Sequence, residues 1–240
     1  MAVWRGAERA VDGALLISEI FGPTIQGEGP SAGRACTFVR LGGCNLSCDW
    51  CDTPYTWDAR RYDLGRELAT RPIKEVVEQT LATETPLVVI TGGEPLLQAQ
   101  ELSMLVANLQ DEGRRVEFET NGTLSPDGLT RADLFVVSPK LANSGLRTRG
   151  RLRWSVLAEF AGLPHACFKF VVREPTDLRE VETIAARLHI EPERTWVMPE
   201  AADAAALIHA LKWLADAAAT RGWSVSSRLQ LLAWDGLRGH

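Results

Sequence analysis

The chain predicts a parallel α/β fold, and two observations carry that prediction. Short runs rich in Val, Ile, Phe and Thr alternate with amphipathic helical stretches. Most Gly-rich, polar or cysteine-bearing motifs follow directly on one of those runs, at what becomes the carboxyl end of a strand. Parallel β/α folds build their sites at that rim.

The predicted strands cover residues 36–41, 87–91, 115–119, 134–137, 168–172 and 195–197, all dominated by β-branched and aromatic side chains. Residues 15–21 are expected to add one more strand outside the core. The predicted helices cover 73–83, 99–112, 156–160, 178–188 and 203–221. In the first, Ile73, Val76, Val77 and Leu81 fall on one helical face, and in the last Ala206, Leu207, Ala210, Leu211 and Leu214 do the same. Both stripes read as core faces. Strands that alternate with crossover helices pair in parallel.

Composition narrows the function classes. With 240 residues, 45% hydrophobic and 24% charged, the chain suits a globular protein with a sizeable core. A net charge of −5 offers no broad basic field for nucleic acid, so the expected substrate is a small molecule. No apolar run approaches the roughly 20 residues that span a bilayer. Residues 1–12 lack a signal-peptide core. The expectation is a cytoplasmic protein with no membrane partner. Five cysteines, three of them clustered, do not suggest a disulfide framework. Cys36 and Cys167 lie in apolar stretches and read as buried small side chains.

The other three, Cys44, Cys48 and Cys51, have the spacing C-x3-C-x2-C. Three thiolates are one short of closing a tetrahedral or cubane site. A [4Fe-4S] cluster held this way keeps one iron open for a non-protein ligand. A structural zinc would need a fourth Cys or a His nearby, and His165, His189, His209 and His240 are all remote in sequence.

The spacing, with Trp50 before the last cysteine, resembles the radical SAM superfamily. That resemblance implies a partial, modified (β/α)6 barrel and S-adenosylmethionine (SAM) chelated to the open iron. Reductive cleavage of SAM then yields a 5′-deoxyadenosyl radical. Gly92-Gly93-Glu94-Pro95 resembles the superfamily's glycine-rich motif. A closer likeness is to the 7-carboxy-7-deazaguanine synthase family. It runs through residues 19–29 (EIFGPTIQGEG), 38–44 (FVRLGGC), 50–53 (WCDT), 119–122 (ETNG), 138–140 (SPK) and 228–234 (RLQLLAW). It is weakest over 143–163 and 191–223.

The family resemblance implies a lyase that converts 6-carboxy-5,6,7,8-tetrahydropterin to 7-carboxy-7-deazaguanine and ammonia, on the route to queuosine and other 7-deazapurines. It implies Mg2+, an external electron donor such as flavodoxin or ferredoxin, and a homodimer. It implies one domain over 1–240, with a core barrel at about 35–200 and substrate-binding extensions at both ends. Carried over residue by residue, Cys44, Cys48 and Cys51 hold the cluster and Thr53 holds Mg2+. Trp50, Cys51, Asp52, Gly93, Glu94, Ser138, Pro139 and Lys140 contact SAM. Ile25, Gln26, Gly27, Arg40, Thr91 and His240 contact substrate. Glu28, Glu119 and Asn121 are further candidates, and Met198-Pro199-Glu200 reads equally as part of the SAM pocket or as a plain strand-ending turn.

The residue chemistry suits these roles. The Gln26 amide both donates and accepts, as a pterin edge requires, and a guanidinium fork such as Arg40 matches a carboxylate. Thr53 by itself reads as a helix cap. Two other readings stay open: a glycyl-radical-enzyme activase, which shares the cysteine spacing, and a zinc-stabilised binding module.

Overall fold

A computed structural model describes residues 13–129 and 131–239. In chain order these residues form β1 (Ala14–Ile25), β2 (Ala35–Leu41), α1 (Leu64–Glu67), β3 (Ala69–Pro72), α2 (Ile73–Leu81), β4 (Leu87–Gly92), α3 (Ala99–Asp111), β5 (Arg115–Thr120), β6 (Leu134–Val137), α4 (Thr148–Arg151), α5 (Trp154–Ala161), β7 (Ala166–Val172), α6 (Asp177–Leu188), β8 (Thr195–Pro199), α7 (Ala204–Ala219), β9 (Ser224–Val225) and α8 (Leu229–Trp234). The strands make one sheet in the order β3-β1-β2-β4-β5-β6-β7-β8-β9. Every pairing from β2 to β9 is parallel, and β1 runs antiparallel to both β2 and β3. Edges β3 and β9 do not meet, so the barrel is incomplete, as expected.

All six predicted strands and five predicted helices form, with ends shifted by a few residues. The departures have local causes. The extra strand at 15–21 extends to Ile25 as β1 and does not lie outside the core: Leu15 and Ile17 are fully buried in the main apolar cluster. The elements β3, β9, α1, α4 and α8 span two to six residues each, too few to show a period. Strand-helix alternation fails between β5 and β6, where residues 121–133 carry no helix among the described residues. Asp133 pins that connection instead, its carboxylate accepting from Val116 N at 2.8 Å.

Side-chain alternation gives the sheet two different faces. On β5, Val116 and Phe118 point to the helices, whereas Glu117 and Glu119 point into the barrel. On β7, Phe168, Phe170 and Val172 join the helix-side core, whereas Lys169 and Val171 face the lumen. Lumen packing near β2 is a small cluster of Cys36, Phe38, Leu87 and Val89, with Phe21 stacked on Phe38 at 5.0 Å. Cys36 and Cys167 are free and buried, and burial pushes each thiol up to about 12.

The loop after β1 fills the gap in the barrel. It closes on itself through Gln26 N to Arg34 O (2.9 Å) and Gly33 N to Gln26 O (2.8 Å). Ser31 then donates to Glu117 at 2.7 Å, and Gly29 N donates to Ser226 Oγ at 2.8 Å, so the loop touches both β5 and the strand edge at β9.

Phe135 sits centrally in the helix-side core, with Phe118 and Phe160 rings each at 5.4 Å. Phe135→Ala is expected to cost about 3–5 kcal/mol, because the cavity cannot collapse between three layers. Urea unfolding of parent and variant measures it, and a loss below about 1 kcal/mol would show the core to be loosely packed.

Candidate active site

Beyond Leu41, β2 runs into Gly42-Gly43-Cys44, and β4 runs into Gly93-Glu94 beside it. The two turns touch backbone to backbone: Gly93 N donates to Leu41 O (3.2 Å) and Glu94 N to Gly43 O (2.8 Å). A Cβ on Gly93 would sit 2.1 Å from the Gly43 carbonyl oxygen, so only glycine permits this approach. Glu94 locks the arrangement. Its buried carboxylate accepts from Leu96 N (3.0 Å), Thr120 Oγ1 (2.8 Å) and Asn121 N (2.7 Å), and burial raises its pKa.

Cys44, Cys48 and Cys51 line one wall of a cavity of about 540 Å³. Leu46 N donates to Cys44 Sγ (3.4 Å) and Trp57 Nε1 to Cys51 Sγ (3.3 Å), the kind of bond that tunes cluster thiolates. Burial pushes the Cys44 thiol up to about 12 and raises Cys48 despite the nearby Lys140 ammonium. Thiolates at these positions therefore need the charge of a metal centre to hold them. Among the described residues, no three His, Cys, Asp or Glu side chains converge as ligands of a single ion. Three cysteine thiols on one wall supply three of the four ligands that a cubane cluster takes, which leaves one iron without a protein ligand.

The opposite wall is polar. Lys169 Nζ, buried on β7, pairs with Glu28 and lies 3.6 Å from Glu119. Glu28 also accepts from Arg228 Nε (3.3 Å) and Gln230 Nε2 (2.8 Å). Burial alone would raise Glu28, but Lys169 and Arg228 outweigh it and hold the carboxyl at about 2. Glu119 accepts from Gln26 Nε2 (3.2 Å) and Thr91 Oγ1 (3.0 Å). A third cluster sits at the mouth. Glu19 takes bonds from Arg40 Nε (2.7 Å), Tyr55 Oη (2.9 Å) and Arg238 Nε (2.9 Å), which together hold its pKa down against burial.

Of the residues singled out from sequence, Ile25, Gln26, Gly27, Glu28, Arg40, Cys44, Cys48, Trp50, Cys51, Asp52, Thr53, Thr91, Gly93, Glu119, Asn121, Ser138 and Lys140 all line this one cavity, as do Met198, Pro199 and Glu200. Glu94 and Pro139 do not: Glu94 is fully buried behind the wall and serves the turn. His240 falls outside the described residues. Thr53 occupies a helix N-cap position, yet its hydroxyl makes no cap bond, contrary to the plain sequence reading. Lys140 rests over the Trp50 ring at 5.5 Å and donates to Ser138 at 3.0 Å. Sequence reasoning placed Glu19 and Arg228 in family-like motifs without giving them a role, and it missed Tyr55, Lys169 and Arg238. Lys169 left a signal, a lone charge in the otherwise apolar run 166–172.

Comparison with known proteins gives a consistent picture. A family model described as the radical SAM superfamily matches residues 38–136. The chain is 38% identical over 227 residues to the 7-carboxy-7-deazaguanine synthase of Pyrobaculum aerophilum, covering 93% of this chain and 96% of that one. Identity to the synthase of Hyperthermus butylicus is 39% over 232 residues, covering 93% and 94%. The crystal structure of QueE from Escherichia coli superposes with a TM-score of 0.68 at 25% identity, covering 89% of this chain and 93% of that chain.

The low pKa of Glu28 has a pH signature. Its ion pairs stabilise the fold fully above the unfolded value of about 4.3, and the contribution is lost as pH falls toward about 2. Glu28→Gln is expected to be less stable than the parent at pH 7, with the gap narrowing between about pH 4.5 and pH 2. Urea midpoints at pH 7, 5 and 3 check this, and a gap that stays constant would contradict the ionised, paired state.

Proposed function

This chain belongs to the 7-carboxy-7-deazaguanine synthase family within the radical SAM superfamily, and we propose that it converts 6-carboxy-5,6,7,8-tetrahydropterin to 7-carboxy-7-deazaguanine with release of ammonia. Membership makes it a radical SAM enzyme of 7-deazapurine biosynthesis that uses a [4Fe-4S] cluster and SAM. The single observation that carries the substrate assignment is one cavity of about 540 Å³ that joins the three-thiol wall to Arg40 and the Gln26–Glu28 loop.

Cys44, Cys48 and Cys51 would hold the cluster. The Trp50–Asp52 backbone, Gly93, Ser138 and Lys140 would hold SAM. Bound there, the pair supplies one-electron cleavage of a sulfonium and so a radical able to remove a hydrogen atom from the ring carbon that bears the carboxylate. The chain's own work is placement. With Nε engaged by Glu19 and the guanidinium lying over the Phe21 ring at 5.7 Å, the terminal nitrogens of Arg40 have no hydrogen-bond partner among the described residues. They can receive a carboxylate end-on through two parallel bonds. The Gln26 amide donates to Glu119 and accepts from Glu28 N, which leaves one N–H and one lone pair that, with the backbone at Ile25 and Gly27, suit the donor and acceptor edge of the pterin. Thr91 and Gln26 orient Glu119 toward the ring from the opposite side. The stretch 235–239 lines the mouth and limits water access.

The Thr53 hydroxyl, uncommitted to a cap, supports its reading as a Mg2+ ligand beside substrate oxygens. The reading includes one domain, a homodimer, a cytoplasmic setting and an external donor such as flavodoxin or ferredoxin.

Anaerobic incubation with SAM, dithionite and 6-carboxytetrahydropterin, followed by mass analysis, tests the assignment; reconstituted, reduced protein that yields no deazaguanine would sink it. Cys48→Ala is expected to abolish cluster assembly and SAM cleavage, since two thiolates cannot hold the cubane. Normal 5′-deoxyadenosine production by that variant would contradict the ligand set. Arg40→Ala should weaken pterin binding by about 2–4 kcal/mol, roughly 30-fold to several hundredfold. Substrate-free SAM cleavage should persist, and an unchanged KM would remove Arg40 from the carboxylate site.

A further inference from the structure

The Arg228-Leu229-Gln230 segment is the one motif whose residues the proposed chemistry leaves without a role. All three fasten on the lumen loop. Leu229 N donates to Gly27 O at 3.1 Å. Gln230 donates to Glu28 at 2.8 Å and packs so closely on Gly27 that a Cβ there would lie 1.8 Å from its Oε1. Arg228 does more. Its Nε reaches Glu28 at 3.3 Å, one terminal nitrogen reaches the Ala201 carbonyl at 2.6 Å, and the other reaches Asp52 at 2.7 Å. A single planar guanidinium thus spans the loop that faces the pterin, the end of β8 and the cluster loop directly after Cys51.

We propose that Arg228 is a positioning residue that fixes the register between the cluster loop and the pterin-facing loop, so that the abstracting carbon meets the substrate hydrogen. This rests on the substrate reading above and deepens it. The argument is geometric. Glu28 and Asp52 belong to loops on opposite walls, and among the described residues only the Arg228 fork bonds to both. Its three arms fix direction as well as distance, which a point charge such as lysine cannot do. Asp52 is largely exposed, so that ion pair adds little stability of its own. What it adds is alignment, and hydrogen transfer is sensitive to displacements of about 1 Å, worth up to about 100-fold in rate.

The test uses reconstituted holoenzyme with Arg228→Ala and Arg228→Lys. Three readouts are taken: cluster content with the spectroscopic response to SAM, the ratio of 5′-deoxyadenosine to deazaguanine, and hydrogen exchange of peptides covering 26–31 and 50–55. Both variants are expected to keep the cluster and substrate-free SAM cleavage. Product formation is expected to fall about 10- to 100-fold, with the 5′-deoxyadenosine ratio rising in step and exchange faster in both loops. Lysine should rescue little, because it restores charge without the fork. The proposal is overturned if the ratio and both exchange profiles match the parent, or if even Arg228→Lys loses the cluster, which would mark a purely structural role. If the parent makes no deazaguanine yet both loops loosen in the variants, the clamp stands and the substrate reading fails.

Discussion

A buried ammonium organises this molecule. Lys169 leaves β7 into a lumen it shares with Glu28 and Glu119, and it pairs with both carboxylates. Desolvating three charges is costly, and the cost is offset only when partners and hydrogen bonds are nearly complete. Here they are: Glu28 gains Arg228 and Gln230, and Glu119 gains Gln26 and Thr91. Loop, sheet and carboxy-terminal segment are therefore fixed by one charge cluster. Losing Lys169 would leave Glu119 without an ion-pair partner among the described residues, so this one ammonium ties the loop to the barrel.

The second constraint is steric and lies on the opposite wall. The Gly43 and Gly93 turns approach until no side chain fits between them, and Glu94 pins the junction from behind with three accepted bonds. A cysteine loop anchored this way presents its thiols from a rigid base. Radical chemistry demands such rigidity, because a misplaced reactive centre attacks the wrong bond. The two walls are thus stiff for different reasons, one electrostatic and one steric.

An open barrel leaves two edges and an entrance. β1 and β3 extend the sheet on one side, while α8 and residues 235–239 cross the mouth on the other. Arg238 fastens the latter, pairing with Glu19 and Glu67 and stacking on the Tyr55 ring at 3.8 Å. Glu19 consequently couples the closing segment to Arg40, the cation the proposed function gives to the substrate carboxylate.

Sequence alone determined the parallel α/β class, the six central strands and the three-thiol loop. These features are local: an alternation of apolar runs, or three cysteines within eight residues, needs no partner to be legible. Seventeen of the site residues that the family likeness named line one cavity, whereas Glu94 lies behind its wall and fixes the turn. Tertiary structure alone decided the rest. Lys169 meets Glu28 across 141 residues and Arg238 meets Glu19 across 219, separations at which no spacing rule operates. A charged side chain looks like a solvated one until the fold removes the water, and that desolvation, visible only in three dimensions, turns scattered charges into a site.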